Sequence, residues 1–87
     1  MKLGTNQVCP IWSEITTENR CKEADKWTKS LELHPKRAVL PGSWPDVPFQ
    51  CSAQVGFDDT IHFSTNSQTN NRRFETGEFV MLCEKGL

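Results

Sequence analysis

The residues of this chain best suited to chemistry are four cysteines, Cys9, Cys21, Cys51 and Cys83, and two histidines, His34 and His62. Thiolates and imidazoles bind zinc, and a structural zinc site usually brings its ligands as close pairs, because a short turn preorganises two of them on one metal. No two cysteines here are close in sequence, and the histidine spacing matches no zinc pattern. An even number of scattered cysteines in a short chain reads instead as two disulfides, which places the protein in an oxidising compartment. There is no Ser-His-Asp order, glycine-rich phosphate loop or metal-ligand cluster, so no cofactor or metal is expected.

Phosphate chemistry is the other possibility these residue types raise. His62, with Arg72 or Arg73 and Glu75, has the groups to surround a phosphate, and Lys36, Arg37, Arg72 and Arg73 would form a modest RNA surface if folding gathered them beside Lys22, Lys26 and Lys29. The plainer reading makes His62 a solvated strand residue, the lysines a solvated helix face and the arginines partners of nearby acids. The net charge of -1 and pI near 6.1 give no global attraction to a polyanion. Tyrosine is absent, which leaves Trp44 and a few phenylalanines for stacking on bases.

These side chains must be positioned by one small domain, residues 1-87, with 36% hydrophobic residues and material for a single modest core. The piece QVCPIW reads as an edge strand, since Pro10 has no N–H for a ladder. A helix follows in TTENRCKEADKWTKSLEL, capped by Thr16 or Thr17, with Glu18 at the positive end of its dipole. Cys21, Ala24, Trp27, Thr28 and Leu31 share its inward face. The proline-rich stretch His34 to Pro48 is irregular apart from a short strand at RAVL, and Trp44 within it is tucked over an open end of the core.

FQCSAQVGF alternates, placing Phe49, Cys51, Ala53, Val55 and Phe57 inward and Gln50, Ser52 and Gln54 outward. TIHFST alternates again, with Ile61 and Phe63 inward and His62 outward. RRFETGEFVMLC reads as a hairpin turning at Thr76 and Gly77, with a central last strand carrying Phe79, Met81 and Cys83 on one face and Val80 and Leu82 on the other. The expected fold class is therefore α+β: one α-helix packed on a twisted antiparallel sheet of four to five strands. Inward cysteines on helix and strand make Cys21 to Cys51 a reasonable bridge, leaving Cys9 for Cys83. Four cysteines allow three connectivities.

An N-terminal cysteine, one helix, then a sheet ending in EFVMLC resembles the small secreted guanyl-specific ribonucleases of fungi, and the ribonuclease-like effectors that plant-pathogenic fungi secrete into host cells. The resemblance implies a bridge between the termini, which Cys9 and Cys83 match, and DDTIHF loosely matches the family strand D-R-V-V-F. HPKR offers His34 where the family has a histidine. The catalytic set does not carry over. Gln54 stands where a glutamate is needed and cannot act as a base, Thr60 stands where the family has arginine, and no histidine follows His62.

The resulting expectation is a secreted, non-catalytic, monomeric effector or virulence protein that binds a host protein, an immune receptor or enzyme, by surface recognition, with weak RNA binding as an addition. Its candidate binding residues are Trp44, Lys36, Arg37, His62, Arg72 and Arg73. The alternatives are a small secreted ribonuclease or toxin, and a cytosolic phage-encoded inhibitor with four free thiols. The start MKLGTNQVC lacks the apolar run of a signal peptide, so secretion takes the chain as a mature form. No stretch approaches the roughly 20 apolar residues of a membrane span, so no membrane partner is expected.

Overall fold

The computed structural model describes residues 2–4, 6–24, 26 and 32–84. The chain forms α1 (Glu18–Ala24), β1 (Leu40–Gly42), β2 (Gln50–Ala53), β3 (Ile61–Ser64), α2 (Arg72–Glu75) and β4 (Val80–Met81). The four strands make one sheet in the order β1-β3-β2-β4. Both pairings of β2 are antiparallel, but β1 runs parallel to β3, so the sheet is mixed, not antiparallel throughout. The strand expected at RAVL begins at Leu40, three positions later than its first residue.

Pro41 explains why β1 is an edge. Thr65 N donates to Gly42 O (2.9 Å), so Gly42 turns its main-chain groups toward β3. Strand alternation then turns those of Pro41 to the open side, where its missing N–H breaks the row of donors that would recruit another strand. β4, expected to be central, instead ends the row of four strands, although its outer flank is not open. β2 lies on one side, and on the other Leu3 N donates to Met81 O (3.0 Å), Lys2 bridges Leu82 and Glu14 bridges Cys83. QVCPIW is no edge strand; that place is taken by Lys2 and Leu3.

Thr17 caps α1, its Oγ1 accepting from Arg20 N (3.2 Å), and Glu18 pairs with Lys22 one turn on. Cys21 and Ala24 are its buried face. The rest of the expected inward face, Trp27, Thr28 and Leu31, lies outside the described residues, as does Lys29. On this side of the sheet Ile15, Cys21, Ala24, Leu33 and Val39 pack against Cys51, Ala53, Ile61, Phe63, Val80 and Leu82.

Both disulfides form as expected. Cys21–Cys51 joins α1 to β2 inside the helix-side core, and Cys9–Cys83 ties the N-terminal segment to the end of the last strand. The loops they close span sequence separations of 30 and 74 residues, and each closure is worth about 4 kcal/mol on the chain-entropy argument, not additive because one loop lies inside the other.

The expected hairpin is replaced by a second helix, so the described residues hold two short helices where one was expected. Asn71 enters α2 in the left-handed region (φ 60°), and Asn70 Oδ1 accepts from Arg72 N (3.0 Å). Gly77 (φ 85°) then ends it in a Schellman arrangement, with Gly77 N donating to Phe74 O and Glu78 N to Arg73 O. A Thr-Gly pair serves a hairpin turn or a helix stop equally well, and the closing hydrogen bonds select the stop. The ion pair between Arg73 and Glu78 spans the same motif.

The second correction concerns the face of the sheet away from α1. Ser52, Gln54 and His62, expected to meet solvent, are buried, and so are Thr60 and Ser64. Trp44, from the proline-rich loop, and Phe79, which follows α2, pack on His62, and Val47, Pro48 and Phe74 of the same two segments are buried as well. Phe49 and Phe57, expected inward, are exposed because β2 is shorter than its alternating pattern.

Candidate functional site

His62 lies on β3 with its ring between two aromatic edges, Trp44 and Phe79, each at 5.2 Å between centroids and close to perpendicular. Trp44 reaches this position because Gly42 has no side chain: a Cβ there would stand 2.7 Å from the indole ring. Nδ1 of His62 is 3.1 Å from Thr60 O. A carbonyl only accepts, so Nδ1 carries the proton and Nε2 holds the lone pair of the neutral ring. Burial pushes the His62 pKa below its ordinary 6.5, and the positive charges of Arg37 and Arg73 act in the same direction.

Both arginines are engaged. Arg73 pairs with Glu78 and with Asp46 (3.2 Å), and its guanidinium lies 4.9 Å over the Phe79 ring. Gln54 donates to the same Glu78 carboxylate (2.8 Å), and these two partners, Arg73 foremost, hold Glu78 below the usual carboxylate range. Arg37 donates to Thr60 Oγ1 (3.2 Å) and to Asp58 (3.1 Å). Hydrogen bonds from Thr60 and then Arg37 lower the Asp58 pKa. Of the six candidates read from the sequence, Trp44, Arg37, His62 and Arg73 thus belong to one layer. Lys36 and Arg72 are exposed, and neither side chain makes a hydrogen bond or ion pair to it. His34 is exposed, its main-chain N–H donating to Asp59.

As chemistry, this layer offers one lone pair on a neutral imidazole beside carboxylates already neutralised by arginine. An acid–base pair across a phosphate needs a charged donor and a free base. The groups here are turned to one another.

A second region was missed by sequence reasoning. Ser13 N donates to Pro10 O (2.9 Å), closing a turn with Ile11 and Trp12 at its tip. Trp12 takes φ 72°, a conformation that suits glycine at the third position of a turn and is uncommon for a bulky side chain. Its side chain stands free, 93% exposed, beside Ile11 at 76% and Val8 at 74%. The residues flanking the turn, Cys9 and Glu14, line a cavity of about 410 Å³ that also takes in Val8, Phe49, Phe74 and Met81. The available signal was length: between Cys9 and Ser13 there is room for a turn but not for a strand with a buried face.

Among the described residues no group of three or more histidine, cysteine or acidic side chains is placed to hold a metal ion, and no helix is long and apolar enough to cross a membrane. Comparison with protein-family models, with curated proteins and with solved structures found no match to this chain.

Proposed function

We propose that the protein is a secreted, disulfide-stapled binding module that acts on a host protein by surface recognition and breaks no bond. The observation that carries this reading is the apolar tip: Val8, Ile11 and Trp12, exposed and held by the Cys9–Cys83 bridge beside a cavity. Large aromatic and aliphatic side chains exposed together on a rigid frame are what an interface core is made of. Two disulfides in a small domain are compatible with an extracellular protein. The likeness of its ordered parts to the effectors of plant-pathogenic fungi supports delivery into a host cell as the setting. The engaged state of His62, Arg73 and Glu78 favours binding over ribonuclease action.

Two measurements test the reading. Oxidised protein incubated with RNA leaves it intact, and a host protein, once purified, binds the wild type one to one. Replacing Ile11 and Trp12 with serine weakens that binding by about 100-fold, as for interface anchors, without moving the unfolding midpoint. RNA cleavage that disappears in His62→Ala would instead establish the ribonuclease.

A further inference from the structure

Charge distribution around the cavity narrows what the partner must present, on the reading just given. Among the described residues, Glu18, Glu23, Asp46, Asp58, Glu78 and Glu84 each hold an ion pair with a lysine or arginine. Glu14 holds none, as do Glu32, Asp59 and Glu75, and no hydrogen bond engages the Glu14 carboxylate. Among the described residues Glu14 alone is charged in the cavity lining, where no lysine, arginine or histidine stands. The lining also takes in apolar residues, with Phe49 partly exposed and Phe74 buried, and polar ones, with Thr69 donating to Asn71 Oδ1 (2.7 Å).

We propose that this cavity receives an arginine side chain of the partner protein, its guanidinium on Glu14 and its plane against Phe49, while Trp12 and Ile11 pack on the apolar residues that flank that arginine. An unpaired carboxylate in a cavity that an aromatic ring also lines suits a planar cation with two forked donors, which a lysine ammonium lacks. About 410 Å³ is within the size range of small-ligand sites and exceeds what one side chain fills, so the flanking backbone also enters.

The probe is a synthetic tripeptide, acetyl-Leu-Arg-Leu-amide, titrated into labelled protein at low salt and followed by amide NMR, with its citrulline counterpart as the uncharged isostere. The expected result is shifts centred on amides of the cavity lining, Glu14, Phe49, Gln50, Thr69, Asn71 and Met81, with a Kd on the order of 1–10 mM. Citrulline binds at least about tenfold more weakly, and Glu14→Gln abolishes the difference between the two. Equal binding of both peptides, shifts centred elsewhere, or no shift for either overturns the assignment. A purified host protein that loses affinity on changing Ile11 and Trp12 while the peptide does not bind would sink the arginine site and leave the binding module standing. Arginine-selective shifts with no protein partner would do the reverse.

Discussion

The two faces of the sheet are held in different ways. On the side of α1, apolar side chains from β2, β3 and β4 meet the helix around Cys21–Cys51, and both sulfurs are buried. On the opposite side a row of polar side chains, Ser52, Gln54, His62 and Ser64, is buried, with Trp44 and Phe79 packed on His62, and the bridge there, Cys9–Cys83, sits at the margin. The helix side gains stability from apolar area, which is non-directional. The opposite side depends on the partners of each polar atom, because a buried donor or acceptor left unmade costs about 1–3 kcal/mol. The first is the scaffold, and the second, with its margin, carries the residues proposed to recognise a partner.

Removing each bridge is the strongest way to separate the two sides. Cys21→Ala with Cys51→Ala loses about 4 kcal/mol of loop-closure stabilisation and leaves a void in the core, so urea unfolding should show a chain at or below the edge of stability. Cys9→Ala with Cys83→Ala loses a similar amount of global stability by chain entropy and also frees the margin locally. Hydrogen exchange at Leu3 and Glu84, whose amides bond across that margin, should rise beyond the global loss, while amides of β2 and β3 rise only as far as the lowered global stability allows. Equal rises at all these amides would mean that the sides form one cooperative unit without a division of roles.

A middle-sized effect tests the cover of the polar side alone. Gly42→Ala puts a methyl group where the Trp44 ring now lies, 2.7 Å from its nearest atoms. The indole must move, and overpacking of this kind costs about 1–3 kcal/mol. The Trp44 indole N–H resonance should shift, and urea unfolding should fall to a lower midpoint. An unchanged midpoint would show that Trp44 rests on the surface without stabilising the face beneath it.

These contrasts also mark what sequence pattern can and cannot disclose. The period-two alternation placed Cys51, Ala53, Ile61 and Phe63 on one face, and the structure buries all four there. The same alternation put Ser52, Gln54 and His62 in water, because polarity alone does not say whether another layer will arrive. That layer comes from the loop after Gly42 and from α2, contacts between residues distant in sequence. Arg72 to Gly77 carried the ambiguity of a Thr-Gly pair, resolved only by bonds to Arg73 and Phe74 carbonyls. Arg37, Trp44, His62 and Arg73 were picked out by residue type, and the structure gathers them in a layer turned on itself, away from the exposed tip. Trp12 was not picked out, because a tryptophan in an apolar run is ordinarily taken as buried.

Acid should weaken the polar side before the carboxylates titrate. The His62 pKa is lowered in the folded protein, so above its ordinary 6.5 the full contribution is present. As pH falls below that value the unfolded chain takes up a proton that the folded chain resists, and stability is lost toward the folded pKa. Asp58, Glu78 and Glu84 have folded pKa values below 3.8 for the aspartate and 4.5 for the glutamates, so their losses begin at lower pH. Urea midpoints at about pH 7.5 and about pH 5.5 should differ in the wild type and draw together in His62→Phe. In that variant Thr60 O keeps its bond from Gln54 N (2.9 Å). A midpoint that fell equally in both proteins would place the titrating group elsewhere.

The smallest effect is the sharpest test of how the polar side is held. Ser52 and Ser64 lie on the same face, each fully buried. Ser64 Oγ accepts from Asn66 N (3.3 Å), whereas Ser52 Oγ has no hydrogen-bond partner. Removing a hydroxyl that makes a bond loses that bond, and removing one that makes none relieves its desolvation, so the two alanine variants should move in opposite directions. Ser64→Ala should lower stability by about 0.5–1.5 kcal/mol and Ser52→Ala should raise it by up to about 1 kcal/mol, a Tm change of several degrees for a domain of this size. If Ser52→Ala is destabilising instead, its hydroxyl bonds an internal water, and the side opposite α1 is a wet, hydrogen-bonded layer, no longer a dry aromatic cover over the sheet.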